Sequence, residues 1–492
     1  MIRKFMKNYR FIISTLSPVH IACGEDFVPV NYTVKNKILY NFSMQALVDV
    51  FAGTQGRAAI DTASDSRALQ KLYGIQSDLQ YMADRFIPMT QSAAEHHSNW
   101  LRGGGNFAIE RTSYSLLKDA PILPGSSLKG AVRTAILNTI QKECKETKAG
   151  AIERDLLGGS FDTDPFRHFK LGDANVVKNY GNASCIMTRH SRHRKDGTGT
   201  TLKDHQYTLV ECLMPFMPRC LQASFTEMDE WSFDYLKKCN QYYFDVFLKQ
   251  IGMLDDMKCS WWADQIKHLV TDAVSRNTGF LLRVGKHCGA DTISMNKFMK
   301  LKTKYKTEIP ISTTLCCLEH GELVPFGWIF VEVAEGCDEL SRLPLIEGLQ
   351  KLLQEMELSG SAVHNQDFER RRNEVRNRLA LARVNEQKKQ AEQARLEAQK
   401  AAEAARISAM TPNQQKIEKF RVAIDRFAGR LQVGGELWGM AHELIKAVEG
   451  GGWSQAEKQE LLSVCERELP PKLKEDSKKQ KKLTDRLRAV MS

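Results

Sequence analysis

Residues Gly125 to Arg133, inside the stretch PILPGSSLKGAVRTAIL, have the types and spacing to hold an anion. Pro121 and Pro124 enforce an extended approach. Gly125, Ser126 and Ser127 then offer a tight turn and a helix N-cap. Lys129 and Arg133 follow one helical turn apart. Free N–H groups at a helix start, with two cations beside them, suit a phosphate; a capped amphipathic helix with solvated cations is the plainer alternative. The order Lys129-Gly130 is the reverse of the Gly-Lys-Ser/Thr that a nucleotide-hydrolysing loop requires, so nucleotide hydrolysis is not supported.

Four further groups could do chemistry on a polyanion. His20, four residues before Gly24, could touch a phosphate or take a proton from a 2′-hydroxyl as a general base. A single His beside a strand is more often a packed, hydrogen-bonded side chain. Glu25 and Asp26 place two carboxylates in the same turn. The densest basic run, Arg189, His190, Arg192, His193, Arg194 and Lys195, leads into a glycine- and threonine-rich tip and suits salt-sensitive phosphate contacts. Arg283, Gly285, Lys286 and Gly289 form a loop whose glycines would let a nucleic-acid backbone approach. Cys316-Cys317 and His287-Cys288 are adjacent pairs rather than the spaced pairs of a structural zinc site, so neither a metal nor a cofactor is expected.

The elements that must carry these residues alternate. FIISTLSPVH begins with a strand, and YTVKNKILY forms a hairpin closing at Lys35-Asn36-Lys37. Helical patterns cover Phe42 to Phe51 and Ser64 to Arg85. Leu128, Val132, Ile136 and Ile140 give the phosphate-site helix one apolar face. Phe166 to Asp173 looks like a buried strand, and YTLVECLMPFMPRCLQASFTEM two strands joined at Pro215 to Pro218. Trp231 to Val274 is helical, FLLRV and WIFVEV are strands, and the class is α+β. Four segments result: 1–230, 231–363, a long charged helix or linker over 364–410, and a small basic helical domain over 411–492. Within the last, Thr411-Pro412 and Ser454 to Glu457 mark helix starts.

Length and charge narrow the class. The 492 residues suggest two to four domains. No apolar run is long enough to span a bilayer, and the first twenty residues suit a strand better than a signal peptide. Twelve cysteines without CxxC pairs fit a reducing cytoplasm. Of the net charge of +11, residues 364–492 hold most: 27 Lys and Arg against 19 Asp and Glu. The remaining 363 residues carry 43 against 40. Basic residues point to an anionic partner, yet the larger body must grip one by local geometry.

Four segments in order resemble the RAMP superfamily of CRISPR-associated proteins, and within it the fifth-subunit family of the Csm (type III-A) effector complexes: LSPVHIACGEDFVPVNYTV, LPGSSLKGAVRTA, DPFRHFKLGDA followed by LVECLMPFMP, and FLLRVGKHCGADTISM with PFGWIFVEV. They span Phe11 to Val333, and the tail beyond His364 falls outside them. The chain differs at Ala22, where that family has glycine, and at Met214 to Arg219. The resemblance implies modified ferredoxin-like, RNA-recognition-like domains. It implies a non-catalytic subunit that binds the 3′ end of a guide RNA (crRNA), supports its maturation in antiviral defence, and caps a filament of neighbouring backbone subunits in a prokaryotic cytoplasm. Target RNA and host nucleases are further expected partners; a membrane is not. RNA contacts are expected at His20, Gly24, Gly125, Ser126, Ser127, Lys129, Arg133, Arg192, Arg194, Lys195, Arg283 and Lys286. Two alternatives are a metal-independent guide-processing endoribonuclease using His20, and a scaffold that recruits a partner nuclease through the C-terminal helix. Asp26 matches in kind the loop aspartate with which related backbone subunits cut target RNA.

Overall fold

The computed structural model describes residues 7–52, 60, 63–140, 149–158, 160, 162–177, 183–194, 200–227, 231–289, 313–335, 342–356, 366–427, 435–468, 481–482, 484–486 and 488–489. The chain forms two compact units, Met1–Leu381 and Ala382–Ser492. It is α+β: helices and sheets in the first unit, antiparallel except where Ile109–Thr112 runs parallel to Thr200–Leu213, and helices in the second.

The strand Lys7–Thr15 lies at the centre of the main sheet. Its neighbours are Leu221–Glu227 on one side and Trp328–Glu335 on the other, both antiparallel, with Phe11 opposite Ala223 and Val333. Phe280–Arg283 extends the sheet past Trp328–Glu335. Ala174–Val176, Ala120–Leu123 and Tyr114–Ser115 extend the other edge. The run from Phe11 to Leu16 is buried without alternation, as expected for a strand covered on both faces. The helices Gly125–Ile140, Trp231–Asp256 and Trp261–Ser275 share one core with this sheet. Tyr243 donates from its hydroxyl to Ala131 O (3.1 Å), and Trp262 Nε1 donates to Leu16 O (2.8 Å). Each large aromatic in that core adds about 1.5–3 kcal/mol by leaving water, and the bond to Leu16 keeps the indole N–H satisfied.

A second sheet runs Leu323–Pro325, Thr313–Cys317, Ser184–Arg194, Thr200–Leu213, Ile109–Thr112, Ala22–Phe27. The third is the meander Tyr32–Lys35, Ile38–Asn41, Arg85–Pro88. Its hairpin closes where expected, with Asn36 and Lys37 at φ of 52° and 58°, the two left-handed positions of a type I′ turn. The helical pattern expected over 64–85 instead divides into Ser66–Ile75, Asp78–Met82 and the strand from Arg85. The Pro215–Pro218 junction is not a hairpin: Thr200–Leu213 and Leu221–Glu227 belong to different sheets, with Phe216 and Arg219 in left-handed conformations where the chain crosses over. The division expected at residue 230 falls inside a single sheet and a single core, because the first strand is hydrogen-bonded to strands from both sides of it.

The helix Gln366–Ser408 begins against the first unit. Phe368 meets Tyr81 and Phe86 at ring-centroid distances of 5.1 and 5.6 Å, and Arg372 Nη2 donates to Ala83 O (3.0 Å). In the second unit Pro412–Arg426, Glu436–Glu449 and Gln455–Ser463 enclose Phe420, Trp438, Ile445 and Leu461. Thr411 with Gln414, and Ser454 with Glu457, form the two capping boxes that start the first and third of these helices.

Candidate functional site

Beyond Thr15 the chain leaves the main sheet through Leu16 to Ile21 and is clamped by two later loops. Leu16 N donates to Trp328 O (2.9 Å), Gly327 N to Pro18 O (2.8 Å) and Lys286 N to His20 O (2.9 Å). Gly285 has φ +94°, and a Cβ there would stand 2.4 Å from His20 O. That position therefore needs glycine. The close approach it permits is by the protein's own His20 loop.

The clamp gathers charge around Glu110 on the Ile109–Thr112 strand. Lys286 Nζ donates to Glu110 Oε2 at 2.8 Å, and His287 Nε2 lies 3.2 Å from the same oxygen. His20 Nε2 lies 3.4 Å from it, and Arg189 Nη2 3.9 Å from Oε1. His20 and His287 stack with centroids 5.4 Å apart. Burial pushes the Glu110 carboxyl up, but His20, His287 and Lys286 outweigh that and hold it well below the usual carboxylate range. Burial pushes the His287 imidazole below its ordinary value, helped by Arg189 and His20 and opposed by Glu110.

His20 itself has no exposed surface. Its Nδ1 donates to Glu211 O at 2.8 Å, which fixes the proton on that nitrogen. Behind it lies a buried network. Glu211 accepts from Arg85, from Ser184 Oγ (3.0 Å) and from Thr112 N (3.2 Å), and the Arg85 guanidinium sits 3.5 Å from the Tyr114 ring centroid. A side chain so enclosed presents no surface to a phosphate or a 2′-hydroxyl, against the contact expected at His20. Arg283 is likewise internal: it is 3% exposed, donates from Nε to Phe326 O (3.0 Å) and lies over Trp328. It holds the clamp's third loop.

Gly24 and Lys286 stay at the surface. Gly24 is exposed at φ +79° with open space where a Cβ would be, beside exposed Glu25 and Asp26; Glu25 pairs with Arg111 (2.8 Å). Lys286 keeps half its side chain in solvent. Arg189 donates to Thr208 Oγ1 (2.8 Å). Arg192 and Arg194 occupy the end of the Ser184–Arg194 strand, opposite Leu202 and Thr200, while Lys195 lies outside the described residues.

The helix Gly125–Ile140 begins at Gly125 and not after a serine cap. Pro124 O accepts from Ser127 N and Leu128 N, while Gly125 N donates to Asp173 Oδ1 at 2.8 Å. Asp173 thus already supplies the anion at this helix start, and Ser126 and Ser127 belong to the first turn. A Cβ on Gly125 would meet Leu171 O at 2.4 Å, so glycine is needed for packing against that turn. Arg133 is committed to Glu153 (2.7 Å) and Asp164 (2.8 Å) over the Phe166 ring. Burial works against its charge, but those two carboxylates raise its pKa above the ordinary value. Lys129 makes no hydrogen bond or ion pair among the described residues. Burial lowers its pKa, with Arg133 and Lys170 acting the same way against Asp164. Lys129 thus lies within electrostatic reach of Lys170, while Arg133 is held by its two carboxylates.

Sequence reasoning missed Arg85, Glu110 and Glu211, and weighed His287 only as half of an adjacent His-Cys pair. Each comes from a strand or loop far along the chain from His20, and no spacing rule connects them. The one available signal was a charged residue inside an otherwise apolar strand, Glu211 in YTLVECL.

A family model described as the RAMP superfamily matches residues 12–435. That span runs past Val333 and past the start of the long helix, so the expectation that the region after His364 lies outside the family is corrected for residues up to 435. No curated protein matches the chain. Two solved structures are similar at 16% identity, each covering 66% of this chain and 100% of the other. One is a chain of the cryo-EM structure of a Csm-crRNA-target RNA ternary complex in a type III-A CRISPR-Cas system, with a TM-score of 0.46. The other is the crystal structure of T. onnurineus Csm5, with a TM-score of 0.43.

Proposed function

The chain belongs to the RAMP superfamily, and we propose that it is a non-catalytic, guide-RNA-binding subunit of a type III-A CRISPR effector ribonucleoprotein. In this reading it holds the guide's 3′ end, supports guide maturation and docks neighbouring backbone subunits. The observation that carries the reading is the family match across residues 12–435. The placement of cations adds support: Lys129, Lys170 and Lys286 face outward from the main sheet and the clamped loops, where a phosphate backbone can reach them. Enclosure of His20 weighs against the metal-independent endoribonuclease, since a general base must come within hydrogen-bond reach of the hydroxyl it deprotonates.

The test is assembly with guide RNA and companion backbone subunits, with RNA affinity measured across a salt series. Lys129→Ala is expected to weaken binding and lower the slope of log K against log salt by about one. A chain that neither enters the complex nor binds guide RNA would overturn the proposal. Repeat RNA incubated with the protein in EDTA should stay uncut; site-specific cleavage abolished by His20→Ala would instead establish the nuclease.

One observation favours an added scaffold role. The Gln366–Ser408 helix leaves Leu381, Val384 and Leu396 largely exposed among charged residues. Removing residues 364–492 should then abolish recruitment of a partner while guide binding persists; unchanged recruitment sinks that role.

A further inference from the structure

We propose that His20, Glu110 and His287 form a binding site for a divalent transition-metal ion of the zinc class. The inference rests on this cluster's geometry and is independent of the RNA-binding reading. The three side chains present Nε2, a carboxylate oxygen and Nε2, all within 4.8 Å of one another. Two imidazoles and a carboxylate are a common donor set for zinc, and they leave a fourth position for water or another oxygen ligand.

Three details point to an ion rather than to a plain hydrogen-bond cluster. First, the separations fit coordination. Glu110 Oε2 stands 3.4 Å from His20 Nε2 and 3.2 Å from His287 Nε2. The His287 contact lies at the long end of a hydrogen bond, and both separations match the ~3.3 Å between ligands that stand ~2.0–2.1 Å from a tetrahedral ion. Second, His20 Nε2 is fully buried, is aimed at the cluster and has Glu110 Oε2, at 3.4 Å, as its near polar neighbour. Its Nδ1 proton is fixed on the Glu211 carbonyl, the arrangement by which a backbone carbonyl orients a ligating imidazole and leaves the other nitrogen's lone pair available. Third, there is a way in: Glu110 keeps a fifth of its side chain in solvent, and Lys286, whose ammonium rests on the same carboxylate oxygen, is half exposed.

Lys286 thus occupies the carboxylate as a cation would, and an incoming ion competes with it. Arg189 opposes binding more mildly. Its Nη1 lies 3.4 Å from His287 Nδ1, a contact given up when that nitrogen carries the proton, while Thr208 retains the guanidinium. In sequence His20 stood out for another role and His287 only beside Cys288, and nothing linked either to Glu110, because residues 20, 110 and 287 share no spacing.

The experiment uses the full chain, stripped with chelator, dialysed against Zn²⁺ and assayed for bound metal by mass spectrometry. Co²⁺ is then used as a spectroscopic substitute, and melts by circular dichroism check that each variant is folded. One ion per chain, with visible d–d absorption from Co²⁺ and imidazole coordination, is expected. Glu110→Gln and His287→Ala should each weaken binding more than ~100-fold, beyond the usual loss from an outer-sphere change. Lys286→Met should tighten it by roughly tenfold, the scale of one screened charge interaction. Cys23→Ser, which removes the exposed thiol, should change nothing. The proposal is overturned if the wild type retains no ion, if Glu110→Gln and His287→Ala bind as well as wild type, if Cys23→Ser loses the ion, or if Lys286→Met binds more weakly.

Discussion

Replacing Arg85 with methionine should destabilise the first unit by about 3 kcal/mol, the lower end of the cost of stranding a buried charge. Glu211 has no exposed surface and Arg85 is 7% exposed, so solvent cannot replace the lost partner. The lower end applies because Ser184 Oγ and Thr112 N remain bonded to the carboxylate after the guanidinium has gone. Methionine keeps much of the apolar stem against Tyr114 and Phe27, which separates the charge from packing. With a urea m-value near ~3 kcal/mol/M, the midpoint should fall by about 1 M. Glu211→Gln should cost less, because it strands no anion and keeps the hydrogen-bond acceptor facing Ser184. The double variant Arg85→Met/Glu211→Gln should recover part of the Arg85→Met loss, since the buried carboxylate is then absent. Urea unfolding by circular dichroism, with hydrogen exchange read on strands Arg85–Pro88 and Ile109–Thr112, separates this unit from the tail. A single-variant loss under ~0.5 kcal/mol, the level of an ordinary surface change, would refute the reasoning. So would a double variant no better than Arg85→Met alone.

Other perturbations have equally definite outcomes. Arg133→Ala should lower thermal stability by about 1 kcal/mol through its two part-exposed carboxylate partners, whereas Lys129→Ala should leave the melting temperature unchanged; equal effects would contradict their assigned roles. Gly125→Ala should cost ~1–3 kcal/mol, because its Cβ meets backbone that cannot swing away, and a neutral result in a urea titration would disprove the close contact. Acid should destabilise the clamp in two stages. His287, depressed in the fold, takes up its proton more readily when unfolded, so stability falls as pH drops below 6.5. Glu110, also depressed, adds stability above its ordinary pKa of 4.5 that is lost below it; Glu110→Gln should flatten only this lower limb of a stability-against-pH curve. In the tail, Glu457 is held down to about 2 by Thr411 and Ser454, so Glu457→Ala should cost about 1 kcal/mol and loosen hydrogen exchange over Gln455–Ser463.

Local chemistry was legible in the sequence wherever it stayed local. Asn36 and Lys37 announced a two-residue hairpin, and Thr411-Pro412 and Ser454 announced helix starts, because each signal and its partner lie within a few residues. The helix from Gly125 was legible as a helix, but its cap was not: Asp173 reaches it from another strand end. The same limit hid the division of labour among the cations. Arg133 and Arg283 look like Lys129 and Lys286 in sequence, and only the distant Glu153, Asp164, Phe326 and Trp328 turn the first two inward. His20 was singled out for contact with RNA. Its partners Glu110, Glu211 and His287 are 90 or more residues away, so its burial could not be read in advance.

The central position of Lys7–Thr15 also sets a timetable for biosynthesis. One flanking strand begins at Leu221 and the other at Trp328. At about 5–20 residues per second of translation, this strand leaves the ribosome on the order of 15–60 s before the second neighbour exists. Until Leu221–Glu227 emerges, Phe11, Ile12 and Ile13 have no neighbouring strand, and the nascent segment is an open template for other chains. Most of the first unit therefore cannot complete its fold as it emerges. Its yield in the cell should depend on chaperone occupancy and on synthesis rate more than the stability of the finished protein would suggest.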